Sequence, residues 1–185
     1  MFYLYLFAFI VIFFVIYHFF RNHNFSLSKK INKAKEVGNI RYVAWNGKYS
    51  WDAVGESFYQ LQLSSIAGPK EVESKNYNCN AMLIRNPENK HDSNAIMVVI
   101  EGKQVGHISR ARAASFVREM KKLGLSTDTI FIVKARINGG WRDSYGDGNY
   151  GVVFDFPPVN RIAVVLSANS MEDSELLFKN RLKKN

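Results

Sequence analysis

A chain of 185 residues with 25 Lys and Arg against 16 Asp and Glu carries a formal charge of +9, a balance that favours an anionic partner, either nucleic acid or an anionic membrane surface. The single cysteine, Cys79, excludes an internal disulfide and a cysteine-built zinc site, and it fits a reducing compartment. There is no Gly-Lys-Ser/Thr phosphate loop, which removes the corresponding ATPase class.

In chain order, Phe2 to Phe20 holds no charged residue and is apolar on every face, with Tyr3, Tyr5, Tyr17 and His18 towards its ends. As a helix it would extend roughly 28 Å, close to the hydrocarbon thickness of a bilayer. Tyrosines at the ends suit the interfacial belts. A positive leader and a small-residue cleavage site are both missing, so residues 1–21 read as a single transmembrane helix and not as a cleaved signal. The basic residues Arg21, Lys29, Lys30, Lys33 and Lys35 follow it, which by the positive-inside rule places the C-terminal part in the cytoplasm. Residues 22–38 then read as a basic juxtamembrane linker, in which Lys29, Lys30, Lys33 and Lys35 could meet anionic lipid headgroups.

Beyond the linker the pattern becomes β-rich. Ile40 to Trp45 and Lys48 to Trp51 flank Asn46-Gly47, a two-residue hairpin signal. Ala53 to Leu63 predicts a strand or bent pair, and Ala81 to Arg85 another strand. Asn94 to Ile100 is an apolar run rich in β-branched residues, turning through Glu101-Gly102-Lys103 into Gln104 to Ile108. One amphipathic helix follows: Ser109 stands at its N-cap, Ala113, Phe116, Val117, Met120 and Leu123 share a face, and Gly124 sits at its exit. Thr129 to Ile137, Gly151 to Phe156 and Arg161 to Leu166 predict three more strands. The tail 167–185 is polar, with a short helix expected near 175–183. The fold class is mainly β (α+β). A small barrel over 39–166 with one packed helix is the economical way to close such strands and remove open edges.

Candidate chemistry is sparse. Gly146-Asp147-Gly148-Asn149-Tyr150-Gly151 has dinucleotide-fingerprint spacing, but Val152 to Phe156 and two prolines follow where a helix is required, so it reads as a glycine-rich hairpin loop. A calcium loop starting at Asp143 fails because Phe154 occupies the bidentate glutamate position. Asp92 with Glu101 and Lys103 imitates the two carboxylates and lysine of metal-dependent nucleases, yet Glu101-Gly102 falls between two apolar runs, as a hairpin tip would. The histidines have no short-range metal spacing. Neither a cofactor nor a metal is expected.

Three stretches in order carry a resemblance. They are Val54-Gly55-Glu56-Ser57-Phe58-Tyr59, then Arg85-Asn86-Pro87-Glu88-Asn89-Lys90-His91-Asp92-Ser93-Asn94-Ala95-Ile96, then Val105-Gly106-His107-Ile108-Ser109-Arg110. Across residues 50–125 they resemble the HIRAN domain family. The resemblance implies an OB-like β-barrel that binds single-stranded DNA at its 3′ end without catalysis. It implies Phe58 and Tyr59 as stacking aromatics, Asp92 as receiver of the 3′-hydroxyl with Asn89 and His91 beside it, and His107 and Arg110 closing the site, Arg110 towards a phosphate. Ser57 stands where end-binding members can have an arginine, and His91 where they can have a tyrosine. Read from the residues alone, Asp92 and Asn94 could equally cap the turn after Pro87, and Phe58 and His107 could belong to the core. A protein-interaction role at the membrane is the alternative function, and a nuclease using Asp92, Glu101 and Lys103 a second.

Overall fold

The computed structural model describes residues 2–166; the polar tail and its expected helix lie outside the described residues. It opens with helix α1, Phe2–Glu36. Where the sequence predicts a linker from residue 22, the helix continues unbroken, because its last turns have something to pack on. Leu27, Ile31 and Ala34 recur at helical spacing and lie against Ile84, Met97, Val99 and Ile130. Polar contacts reinforce the docking: the Lys30 ammonium donates to the Arg85 carbonyl, and Lys33 pairs with Asp128 at 3.1 Å. Two of the four lysines expected to face lipid therefore touch the barrel. Burial comes first among the causes that lower the Lys30 pKa below the ordinary lysine value. In the apolar part, Tyr5, Phe7, Phe9, Ile12, Phe13 and Val15 are exposed. Among the described residues no helix is long and apolar enough to cross a membrane.

Strand β1 (Ile40–Val43) and strand β2 (Trp51–Val54) do not form the expected hairpin. β1 instead lies parallel to the later strand at Ile130–Val133. The intervening turn is pinned from outside, since the buried Asp155 carboxylate accepts from the Trp45 and Gly47 amides at 2.7 and 3.0 Å. A two-residue type I′ turn needs positive φ at both positions, and of Asn46 and Gly47 only Gly47 has it. After β2 the predicted strand through Leu63 is in fact a 3-10 turn, Glu56–Tyr59, running into helix α2, Gln60–Ala67. Gly55, at φ 80, makes the left-handed corner that starts this turn.

Then come β3 (Lys75–Arg85), β4 (Ile96–Ile100) and β5 (Lys103–Ile108), followed by helix α3 (Arg110–Lys122), β6 (Ile130–Gly139), β7 (Arg142–Asp143), β8 (Gly146–Asp147) and β9 (Tyr150–Phe154). β4 and β5 meet at the tip Glu101-Gly102, where both residues have positive φ, as a tight hairpin demands. β7 and β8 form a small ribbon within the glycine-rich connection from β6 to β9. The segment from Val159 to Val165, predicted as a strand, is a 3-10 helix.

Six strands close on themselves in the order β6-β3-β4-β5-β2-β9, with β9 pairing back to β6 and β1 added outside on β6. The long β6 makes closure possible: its Phe131 to Gly139 pairs with β3 while Ala135 to Gly139 also pairs with β9. The fold is mainly β, a closed six-strand barrel with a few helices, consistent with an OB-like barrel. α3 seals one part of the core. Ala113, Phe116, Val117 and Met120 are buried, and Phe116 meets Phe131 at 5.1 Å and Phe156 at 5.4 Å between ring centres. Removing a ring from such a packed cluster costs about 3–5 kcal/mol. Phe116→Ala is therefore expected to lower unfolding stability in urea by about that amount, whereas the exposed Phe58→Ala should change it by about 0.5 kcal/mol or less.

Candidate functional site

The loop between β3 and β4 is built by its own side chains. Asn86 N–H donates to the Ala95 carbonyl and Ala95 N–H to the Asp92 carbonyl, which closes the loop. The Asn89 Oδ1 accepts from the amides of His91 and Asp92 at 2.9 and 3.1 Å, and Asp92 Oδ1 accepts from Asn94 N–H at 2.9 Å. The Asx capping weighed from the sequence is thus present at Asp92, while Asn94 enters through its backbone N–H and Asn89 supplies the other side-chain cap. It leaves Asp92 Oδ2, which lies 3.7 Å from Arg110 Nε at the start of α3. Arg110 also donates to the His91 carbonyl at 3.0 Å. Below the loop, the buried Arg85 donates to the Ser93 carbonyl at 2.7 Å, while its Nε has no hydrogen-bond partner among the described residues. Asn89, His91, Asp92 and Arg110 are therefore brought together, with the His91 ring exposed and the Asp92 side chain still reached by solvent.

A second group lies on β5 and the 3-10 turn. The Gln104 side-chain amide nitrogen donates to the Tyr59 hydroxyl oxygen at 2.7 Å and lies 3.0 Å from His107 Nε2. An amide nitrogen can only donate, so Nε2 accepts and the imidazole proton sits on Nδ1. Burial lowers the His107 pKa below the ordinary imidazole value, which agrees with a neutral ring, and burial raises that of the Tyr59 phenol. The two rings are 6.3 Å apart between centres. Since the Tyr59 oxygen accepts from Gln104, its own proton is free to be given to a ligand. Next to it Phe58 is 85% exposed, as is Leu61. Of the two sequence readings of Phe58, the core one is excluded. His107 is three residues before Arg110, so at most about 11 Å of chain separates the two groups.

Gln104 was not legible as a site residue. Three positions apart on a regular strand, Gln104 and His107 would point to opposite faces. The ladder shows why they meet: Val98 pairs with Gly106 but Val99 with Gln104, so Val105 is an extra residue and the strand is bulged there. The alternative nuclease grouping does not assemble. Asp92 precedes β4 and Glu101 follows it; Glu101 accepts from the Tyr77 hydroxyl at 3.2 Å and Lys103 donates to Ser65 Oγ at 2.7 Å. No group of three or more His, Cys, Asp or Glu able to hold a metal occurs among the described residues. Burial pushes the Cys79 thiol up to about 11, so it is a poor nucleophile.

The profile of the HIRAN domain matches residues 46–141. No curated protein matches the chain. Among solved structures, the crystal structure of the HIRAN domain of human HLTF aligns at 17% identity over 72% of this chain and 84% of that one, with a TM-score of 0.29. That superposition is too loose to support any argument.

The neutral His107 links the site to pH. The folded chain takes up this proton at a lower pH than the unfolded chain, whose histidine titrates near about 6.5. Stability present above that value is lost as the pH falls through the folded value. Between about pH 7.5 and about pH 5.5 the melting temperature of the chain is expected to fall further than that of His107→Gln; equal falls would show that the ring is not held neutral.

Proposed function

Because the chain belongs to the HIRAN domain family, we propose that it is a membrane-tethered module that binds single-stranded nucleic acid, in particular the 3′ end of single-stranded DNA, without catalysis. The observation that carries the reading is Phe58, a large ring that folding leaves 85% exposed beside the polar row of Tyr59, Gln104 and His107. Stacking of a base on an exposed ring is sequence-tolerant and contributes about 1–3 kcal/mol. Asp92 has the chemistry for the end itself. Oδ1 is committed to the loop, while Oδ2 is held only loosely by Arg110. A 3′-hydroxyl can donate to Oδ2, and the released guanidinium can turn to the phosphate one step back. A 3′-phosphate would bring two negative charges against Asp92 and be disfavoured.

The tether rests on the uninterrupted apolar sequence from Phe2 to Phe20 and on the basic residues that follow. Its orientation follows from that charge asymmetry, with the barrel in the cytoplasm. Non-catalytic binding is supported by the separation of Asp92 from Glu101 and Lys103.

Fluorescence anisotropy with the full chain, first shown to stay with membranes through a carbonate wash and then placed in zwitterionic lipid discs, tests the reading. A 3′-hydroxyl strand is expected to bind at least fivefold more tightly than the same strand with a 3′-phosphate. Asp92→Ala should erase that preference, and Phe58→Ala should weaken binding by about fivefold or more. A chain that washes off loses the tether. One that binds neither strand at low salt, or both alike, loses end capture.

A further inference from the structure

The outer side of α3 carries a group of cations that the end-binding site does not use. Arg112, Arg118 and Lys122 line an open groove of about 960 Å³ between α3 and the residues following Phe156, with Asn160 and Ser115 among its walls. Among the described residues one carboxylate, Glu119, faces it, and that is paired with Lys122 at 3.2 Å. The Arg112 guanidinium lies over the Trp51 ring, 4.9 Å from its centre, a cation–π contact that steadies the side chain without using up its N–H donors. Arg118 is steadied by the Ser115 hydroxyl at 3.3 Å. Among the described residues neither arginine has a carboxylate partner.

We propose that this groove is a second contact surface, which carries the phosphodiester backbone of the same single strand away from its captured end. The inference rests on the end-binding reading. Arg110, paired with Asp92, is the first residue of α3. A strand ending at Asp92 must leave along some surface, and the same helix offers further cations out to Lys122, twelve positions or about 18 Å along and around the helix from Arg110. That length faces several successive phosphates. The lining is polar and open with two unpaired guanidinium groups, which suits a chain of single negative charges and not an apolar segment.

The test compares two lengths of strand, both ending in a 3′-hydroxyl, on the full chain in zwitterionic lipid discs: about four nucleotides, enough for the end site, and about twelve, enough to reach the groove. Arg112→Ala, Arg118→Ala and Lys122→Ala combined should weaken the longer strand at least tenfold and leave the shorter within twofold. The slope of log affinity against log salt should fall by about 2 for the longer strand only, since each phosphate contact on a single strand contributes about 0.7. A charge-matched control, Arg41→Ala, Lys70→Ala and Arg142→Ala, should leave both strands within twofold. If the groove variant leaves the longer strand unchanged, or weakens both lengths equally, the groove proposal fails while end capture stands. If the native chain binds neither length, the end-capture reading fails and the groove proposal falls with it.

Discussion

Burial of β4 on both faces is the constraint on which the rest depends. Every residue from Ile96 to Ile100 is buried. Ile96, Val98 and Ile100 point into the barrel core, while Met97 and Val99 point outward and are covered by Leu27, Ile31 and Ala34 of α1. A slip of one residue would send the side chains that fill the barrel core to the face under α1 and bring Met97 and Val99 inward, so the register is fixed, and with it both ends of the strand: the Glu101-Gly102 tip and the loop that presents Asn89, His91 and Asp92. The same burial packs the end of the helix against the barrel. The chain that leaves the apolar segment does not dangle from it; it lies on the sheet for its last turns.

From that frame the site follows by short steps. β5 pairs with β4 and is bulged at Val105, which turns Gln104 and His107 to one side. β2 pairs with the end of β5, and Gly55 turns the chain from β2 so that Tyr59 reaches Gln104 and Phe58 is left in solvent. α3 begins two residues after β5 and brings Arg110 to Asp92. Polar groups are satisfied by one another while the large ring beside them is not covered. A binding surface needs this combination: preorganised donors and acceptors, and an apolar face kept exposed.

Local patterns were legible. The β4–β5 turn, the buried stripe of α3 and the three motif stretches could all be read from residue types and spacing, because each depends on neighbours in the chain. What depended on distant partners was not. Asn46-Gly47 carries a hairpin signal, yet Asp155, over a hundred residues on, takes its amides and sends β1 and β2 to different places. Ala53 to Leu63 has enough apolar residues for a strand, but Leu63 is buried from a helix. The apolar run of β4 was legible as a strand; what covers its outer face, a stretch read as a basic linker, was not visible without the docked Leu27 and Ala34. Among site residues, Gln104 was hidden by a bulge that no spacing rule announces, whereas the capping by Asp92 was legible from its place in an Asx-rich loop.

The central claim is that the terminal base of a single strand sits on Phe58 with its 3′-hydroxyl at Asp92. Photocrosslinking with a strand whose last base is 5-iodouracil, followed by peptide mapping, tests it most directly. The adduct is expected on Phe58, Tyr59 or His91, and to disappear when the iodinated base is moved to the 5′ end. An adduct confined to the 141–150 ribbon, or one indifferent to which end carries the label, would contradict it.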